Sequence, residues 1–163
     1  MFFHAMRVLG LVAASAVVAL GGARQASLQG VETGHFITNP GTQDATVITD
    51  DFAEGIAPRL GKYTLIAREE INLQTGDVSD GAFVITAADG GTIRGTYSGT
   101  AAFGATSASW IADGSIAGGT GRFTGATGSI HLDGSSNLRT CETVGALSVC
   151  GLTETTALEL IVP

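Results

Sequence analysis

The stretch 118-GGTGRFTGATG-128 decides how this chain is read, because it fits two opposite structures. A phosphate-binding loop needs a strand that delivers glycines to the first turn of a helix, whose free N–H groups and dipole face the anion. Here the spacing is Gly119-x-Gly121-x-x-Thr124, so the third glycine is missing, and no helical pattern follows. Phe123, Gly125 and Thr127 instead alternate with Arg122, Thr124 and Ala126, and the alternation runs on through "SIHL" at 129–132. A period of two belongs to a strand, so the glycines read as a tight turn plus bends where a strand coils around a barrel corner. No nucleotide is expected.

The rest of the chain follows the same pattern. Gly abounds, Pro is nearly absent, and no window after residue 30 holds a helical period for three turns. Alternating segments predict strands over 34–38, 61–73, 81–87, 92–100, 107–116, 123–132, 137–144 and 147–162, the last with a break near Thr153. Separators such as "QTGDVSDG", "ADGGT" and "DGSS" are clusters of turn-forming residues. Eight antiparallel strands in an open sheet would leave two edges exposed, and closure removes both. The expected fold is therefore all-β, a closed eight-stranded antiparallel up-and-down barrel of the calycin kind. At that strand number the interior either fills with side chains or holds one small ligand. Residues 43–59, "QDATVITDDFAEGIAPR", read either as an additional strand or as a loop crossing one mouth. Asp50, Asp51 and Glu54 in that segment lack the spacing of a calcium loop and read as a solvated acidic turn.

The first 23 residues have the organisation of an export signal: Arg7, an apolar run from Val8 to Leu20, and small residues Gly21 and Ala23 before the expected cut. The competing reading, a permanent anchor, needs an apolar run of about 20 residues, which is longer than this one. The expected organisation is thus a signal peptide over 1–23 and one barrel domain over 24–163, periplasmic or secreted. That domain carries 7 basic and 15 acidic side chains, since Arg7 is the one basic group lost with the signal. A surface of that sign repels phosphate backbones and anionic lipid, so neither nucleic acid nor, after signal cleavage, a membrane is an expected partner.

Cys141 and Cys150 are the two cysteines. If Gly145 and Ala146 form a two-residue turn, Val144 faces Leu147, Thr143 faces Ser148, Glu142 faces Val149 and Cys141 faces Cys150. The cysteines then occupy a non-hydrogen-bonded pair, where side chains approach most closely, and a cross-strand disulfide is expected. No His or further Cys stands at ligand spacing, so no metal site is expected.

The stretch "SWIADGSIAGGTGRFTGATGSIHLDG", with "GGTIRGTYSGT" upstream, resembles the allene oxide cyclase and dirigent protein superfamily over Gly90 to Gly134. Gly118, Gly119, Thr120, Gly121, Phe123 and Gly128 stand on its glycine-rich signature, and Tyr97 with Ser98 match a Tyr-Ser pair of the cyclases. The resemblance implies a barrel with a cavity and a scaffold role for the signature residues; no cofactor is expected. It also implies positioning of a reactive unsaturated molecule for ring closure or coupling, and association into a homodimer or homotrimer through barrel faces. It carries over no catalytic residue.

Alternation also ranks the candidate site residues. In "KYTLIAREEINL", Tyr63, Leu65, Ala67, Glu69 and Ile71 form the more apolar set, so this set is expected to face inward and Glu69 becomes an acid among apolar neighbours. Such a carboxyl either has a raised pKa or pairs with a base such as Arg94 or Arg122. Glu69, Arg94 and Tyr97 are the candidate catalytic groups, and Tyr63, Tyr97 and Trp110 the candidate ligand contacts. Phe83, Phe103 and Phe123 read as core, and His35 and His131 as solvent-facing. The first functional reading is a carrier that sequesters a small apolar or amphipathic molecule. The alternatives are a cyclase or isomerase, and an assembly module whose barrel is filled.

Overall fold

The computed structural model describes residues 22–40 and 45–163. The expected signal peptide lies outside the described residues but for Gly22 and Ala23. Nine strands follow: β1 (Arg24–Pro40), β2 (Thr46–Ala57), β3 (Gly61–Asn72), β4 (Asp77–Thr86), β5 (Thr92–Phe103), β6 (Ser107–Gly119), β7 (Thr127–Asn137), β8 (Glu142–Val144) and β9 (Leu147–Val162). Each pairs antiparallel with the next from β1 to β7; β7 then pairs with β9, and β9 with β1. Eight strands close the barrel. Among the described residues no helix is long and apolar enough to cross a membrane.

The strand count matches expectation, but its membership differs. The acidic segment is a full barrel strand, β2, because Thr49, Asp51, Ala53, Gly55 and Ala57 alternate inward while their neighbours face out. Of the segment expected over 137–144, Asn137 is the last residue of β7, Leu138–Thr140 forms a 3-10 turn, and Glu142–Val144 is extended as β8, which hangs on β9 outside the ring. No break occurs at Thr153, and β9 runs its full length as the closing strand between β1 and β7.

The predicted hairpin register is the observed one, Glu142 opposite Val149 through Val144 opposite Leu147, and Cys141 is bonded to Cys150. A loop this short limits the disulfide to roughly 2.5–3 kcal/mol of chain-entropy stabilisation. It acts as a local tether that holds the segment after β7 across one end of the barrel.

At the glycine stretch, β6 ends at Gly119, Gly121–Phe123 makes one 3-10 turn and β7 restarts at Thr127. The Thr120 hydroxyl accepts the Thr92 N–H at 3.1 Å and lies 2.8 Å from the Thr92 hydroxyl, which ties the turn to β5. Gly118 marks the register shift between β5 and β6, at φ +144. Phe123 turns inward and helps shut this end of the barrel, with Leu28, Leu60, Tyr63, Leu158 and Leu160, all at most 5% exposed. Each such side chain contributes roughly 1.5–3 kcal/mol by leaving water. The opposite end is not filled, and that asymmetry creates the site.

Candidate functional site

Three times in this barrel an aromatic side chain lies across a glycine on the next strand and points its polar edge at a glutamate one strand further on. On β6, Trp110 faces Gly134 of β7, which faces Glu154 of β9, and the indole Nε1–H donates to Glu154 Oε2 at 2.6 Å. Tyr97 of β5 faces Gly81 of β4, and its hydroxyl donates to Glu69 Oε2 on β3 at 2.5 Å. In the third row, Tyr63 of β3 faces Gly55 of β2, which faces Glu32 of β1. No hydrogen bond closes this row: Tyr63 Oη and Glu32 Oε2 are both buried without a partner, while the Thr156 hydroxyl donates to Glu32 Oε1. The glycine is what lets a ring cross an intervening strand.

The row through Glu69 depends on a bulge. Arg68 pairs with Ala82 and Glu70 with Ser79, so Asp80 and Gly81 together oppose Glu69, and Asp80 takes φ +52. Bulges re-aim side chains, and this one brings Gly81 beneath the Tyr97 ring. A Cβ at Gly81 would lie 2.6 Å from Tyr97 Cδ2 and 2.6 Å from the Tyr97 carbonyl oxygen. Gly81→Ala is therefore expected to cost roughly 1–3 kcal/mol and to shift the Tyr97 hydroxyl off Glu69. Ultraviolet absorption of the tyrosinate checks it, because moving Tyr97 away from Glu69 lets its phenol ionise at lower pH than in the wild type.

Above the filled half lies a cavity of about 340 Å³. Most of its wall is apolar, including Phe36, Ile71, Ala101 and Leu132, with Leu73 and Phe103 at the half-exposed mouth. Glu69, Tyr97, Trp110 and Glu154 face it, and so does Asp51 from β2. Asp51 is 9% exposed, and its carboxyl accepts no side-chain hydrogen bond among the described residues.

The barrel is similar to that of a dirigent protein. That structure, of a pterocarpan synthase dirigent protein, shares 9% identity at a TM-score of 0.43, over 93% of this chain and 99% of the other. No family model and no curated protein matches the sequence.

Electrostatics follow from an interior with acids and no bases. Every Lys and Arg among the described residues is exposed. Burial raises Glu69 from the ordinary 4.5 to about 7, partly offset by the Tyr97 hydrogen bond and reinforced by Asp50. Burial likewise raises Glu154 to about 7, against the Trp110 hydrogen bond. Asp51 is pushed well above the usual aspartate range by burial and then by the charges of Glu69 and Glu154. Glu32 is raised by burial, and the two tyrosines are raised by burial and by their facing glutamates. Near neutral pH the interior holds protons that free carboxyls would have released.

Of the residues expected from sequence, the structure brings Glu69, Tyr97 and Trp110 to one cavity. Arg94 is not among them: it stands three residues from Tyr97 on the same strand, hence on the opposite, exposed face. Arg122 is also exposed, beside Asp89 at 3.2 Å and stacked on Phe123. Tyr63 faces inward but lies in the filled half, away from the cavity wall. Phe103 belongs to the mouth, 45% exposed, whereas Phe83 and Phe123 are core. His35 and His131 are both exposed, the latter 2.7 Å from Asp113.

Sequence reading missed Asp51, Glu154 and Glu32. Continuing the Leu158–Leu160 alternation back along β9 would have placed Glu154 inward, and the Leu28 face of β1 leads in the same way to Glu32.

Proposed function

We propose that this protein is a cofactor-independent isomerase of the cyclase type, which moves a proton on a small unsaturated molecule held in the barrel. The observation that carries this reading is the placement of Glu69, fixed by Tyr97, and Asp51 on adjacent strands facing one apolar cavity. Two neighbouring carboxyls with no cation between them cannot both ionise readily, so near neutrality the pair shares a proton. Asp51 delivers that proton to one atom of the substrate, and the Glu69 carboxylate removes one from another. No proton is gained or lost overall, and transfer between the carboxyls resets the pair. The cavity wall supplies the remainder of catalysis by holding one reactive conformer and excluding water.

The carrier reading shares the cavity but leaves the acid pair without a role, and the filled-barrel reading does not accommodate the open half. We also propose that the protein is exported, from the leader pattern of its first 23 residues. The test is incubation with a panel of β,γ-unsaturated ketones and allylic epoxides in D2O, followed by NMR. Isomerised product carrying deuterium is expected, with Glu69→Gln slower by roughly 10²–10⁴-fold. Binding of panel members with no conversion of any would return the barrel to the carrier reading.

A further inference from the structure

The cavity is defined as much by the charge it lacks as by the groups it presents. Asp51 on β2, Glu69 on β3 and Glu154 on β9 face one space. Glu32 on β1 lies beyond its floor, Tyr97 enters from β5, and β4, β6 and β7 turn no titratable side chain inward. On its own strand Asp51 is flanked by Asp50, which faces outward and pairs with Arg68 at 2.7 Å. Nothing positive balances this set from within, since both described histidines and all described Lys and Arg residues are exposed.

Asp51 gives the second observation. It is nine-tenths buried, turned into the cavity, and unpartnered among the described residues. A largely buried carboxyl left without protein hydrogen bonds is destabilising, and a ligand that pairs with it removes that cost. Aromatic surface faces the same space: the rings of Phe36 and Trp110 meet edge to face, with centroids 6.2 Å apart. Carboxyl groups beside aromatic rings in an apolar wall form the recognition chemistry of an organic cation, whose charge meets the acid and the ring quadrupole while its hydrocarbon body displaces water. Among the described residues no three His, Cys, Asp or Glu are arranged to hold a metal ion.

We propose that the cavity selects a small amphipathic organic cation, a protonated amine or quaternary ammonium carrying an apolar group, with the Asp51, Glu69 and Glu154 carboxyl set as its counter-ion. This rests on reading the cavity as the ligand site and does not depend on turnover. The ammonium replaces a proton on the carboxyl set. Binding therefore releases protons, and affinity rises as pH moves from about 6 to 8, where Glu69 and Glu154 would otherwise retain them.

Calorimetry at about pH 7.5 with 2-phenylethylamine, and with its neutral isostere 2-phenylethanol, tests the charge term alone. The amine is expected to bind roughly tenfold or more tightly than the alcohol, with proton release seen as a heat that depends on buffer ionisation enthalpy. Asp51→Asn and Glu154→Gln should each remove part of the difference, and the double variant most of it. Asp113→Asn, on the outer face, should leave it intact. Equal or tighter binding of the alcohol would overturn the cation proposal while leaving a ligand site in place. Failure of both probes to bind at millimolar concentration would overturn the ligand site and the proposal together.

Discussion

The barrel should lose stability as pH rises, with thermal and urea midpoints higher at about pH 5 than at about pH 8.5. The sign follows from the direction of the shifts. Glu69 and Glu154 have native pKa values near 7, against 4.5 when unperturbed, so between these limits the native state binds more protons than the unfolded chain. Their stabilising contribution is complete below the unfolded pKa and disappears as pH passes through the native one. Both side chains are at most 7% exposed, so solvent screening does little to reduce the effect. Each shift corresponds to about 3 kcal/mol, a large share of a domain's net stability. Asp51 and Glu32 are shifted in the same direction and steepen the loss. Glu154→Gln, which keeps an acceptor for the Trp110 N–H, should flatten the profile and raise the midpoint at alkaline pH. A profile that is flat from pH 5 to 8.5, or one that rises, would mean that these carboxyls are solvated.

The second large effect lies in the scaffold. Gly128 opens β7 at φ +142, and a Cβ there would stand 1.8 Å from the Glu159 carbonyl oxygen on β9. Both backbone strain and collision fall on the β7–β9 pairing, one of the two contacts through which β9 closes the ring. Gly128→Ala should therefore cost more than about 4 kcal/mol and leave a protein that is unfolded or melts far below the wild type. Gly90→Ala separates the two causes, because Gly90 has φ +82 but a Cβ there would meet nothing within 4 Å, and its cost should stay near 1–2 kcal/mol. Circular dichroism melts of the two variants make the comparison. A Gly128→Ala variant that melts within a few degrees of the wild type would contradict the close β7–β9 approach at Gly128.

Local alternation makes most of this fold legible, for a physical reason. Inward and outward positions differ in burial, so β3 declares its faces, and the two-residue Gly-Ala turn sets the disulfide register. The acidic strand β2 is ambiguous because Asp50, Asp51 and Glu54 look like a solvated turn unless Thr49, Ala53 and Ala57 are given equal weight. Arg94 is drawn to the wrong face by its proximity to Tyr97, although an odd spacing on a regular strand separates the two.

The aromatic–glycine–glutamate rows are not legible at all. Each joins residues on three strands, and no single strand shows that Gly81, Gly134 or Gly55 will lie under a ring. Glu69 can be found because its own strand is strongly apolar. Asp51 becomes visible only when the register of β2 against β3, with Thr49 opposite Glu69 and Asp51 opposite Ala67, puts it on the same inward face as Glu69, diagonally across the two strands.

The most direct test of the acid-pair account is a carboxyl titration followed by carbon-13 NMR, with Asp51 and Glu69 assigned by substitution. The account predicts Glu69 titrating near pH 7 and Asp51 well above the ordinary aspartate value, each moving when the other is replaced by its amide. Independent titration of both groups near the ordinary value of about 4 would mean that the cavity holds two solvated carboxylates and no shared proton.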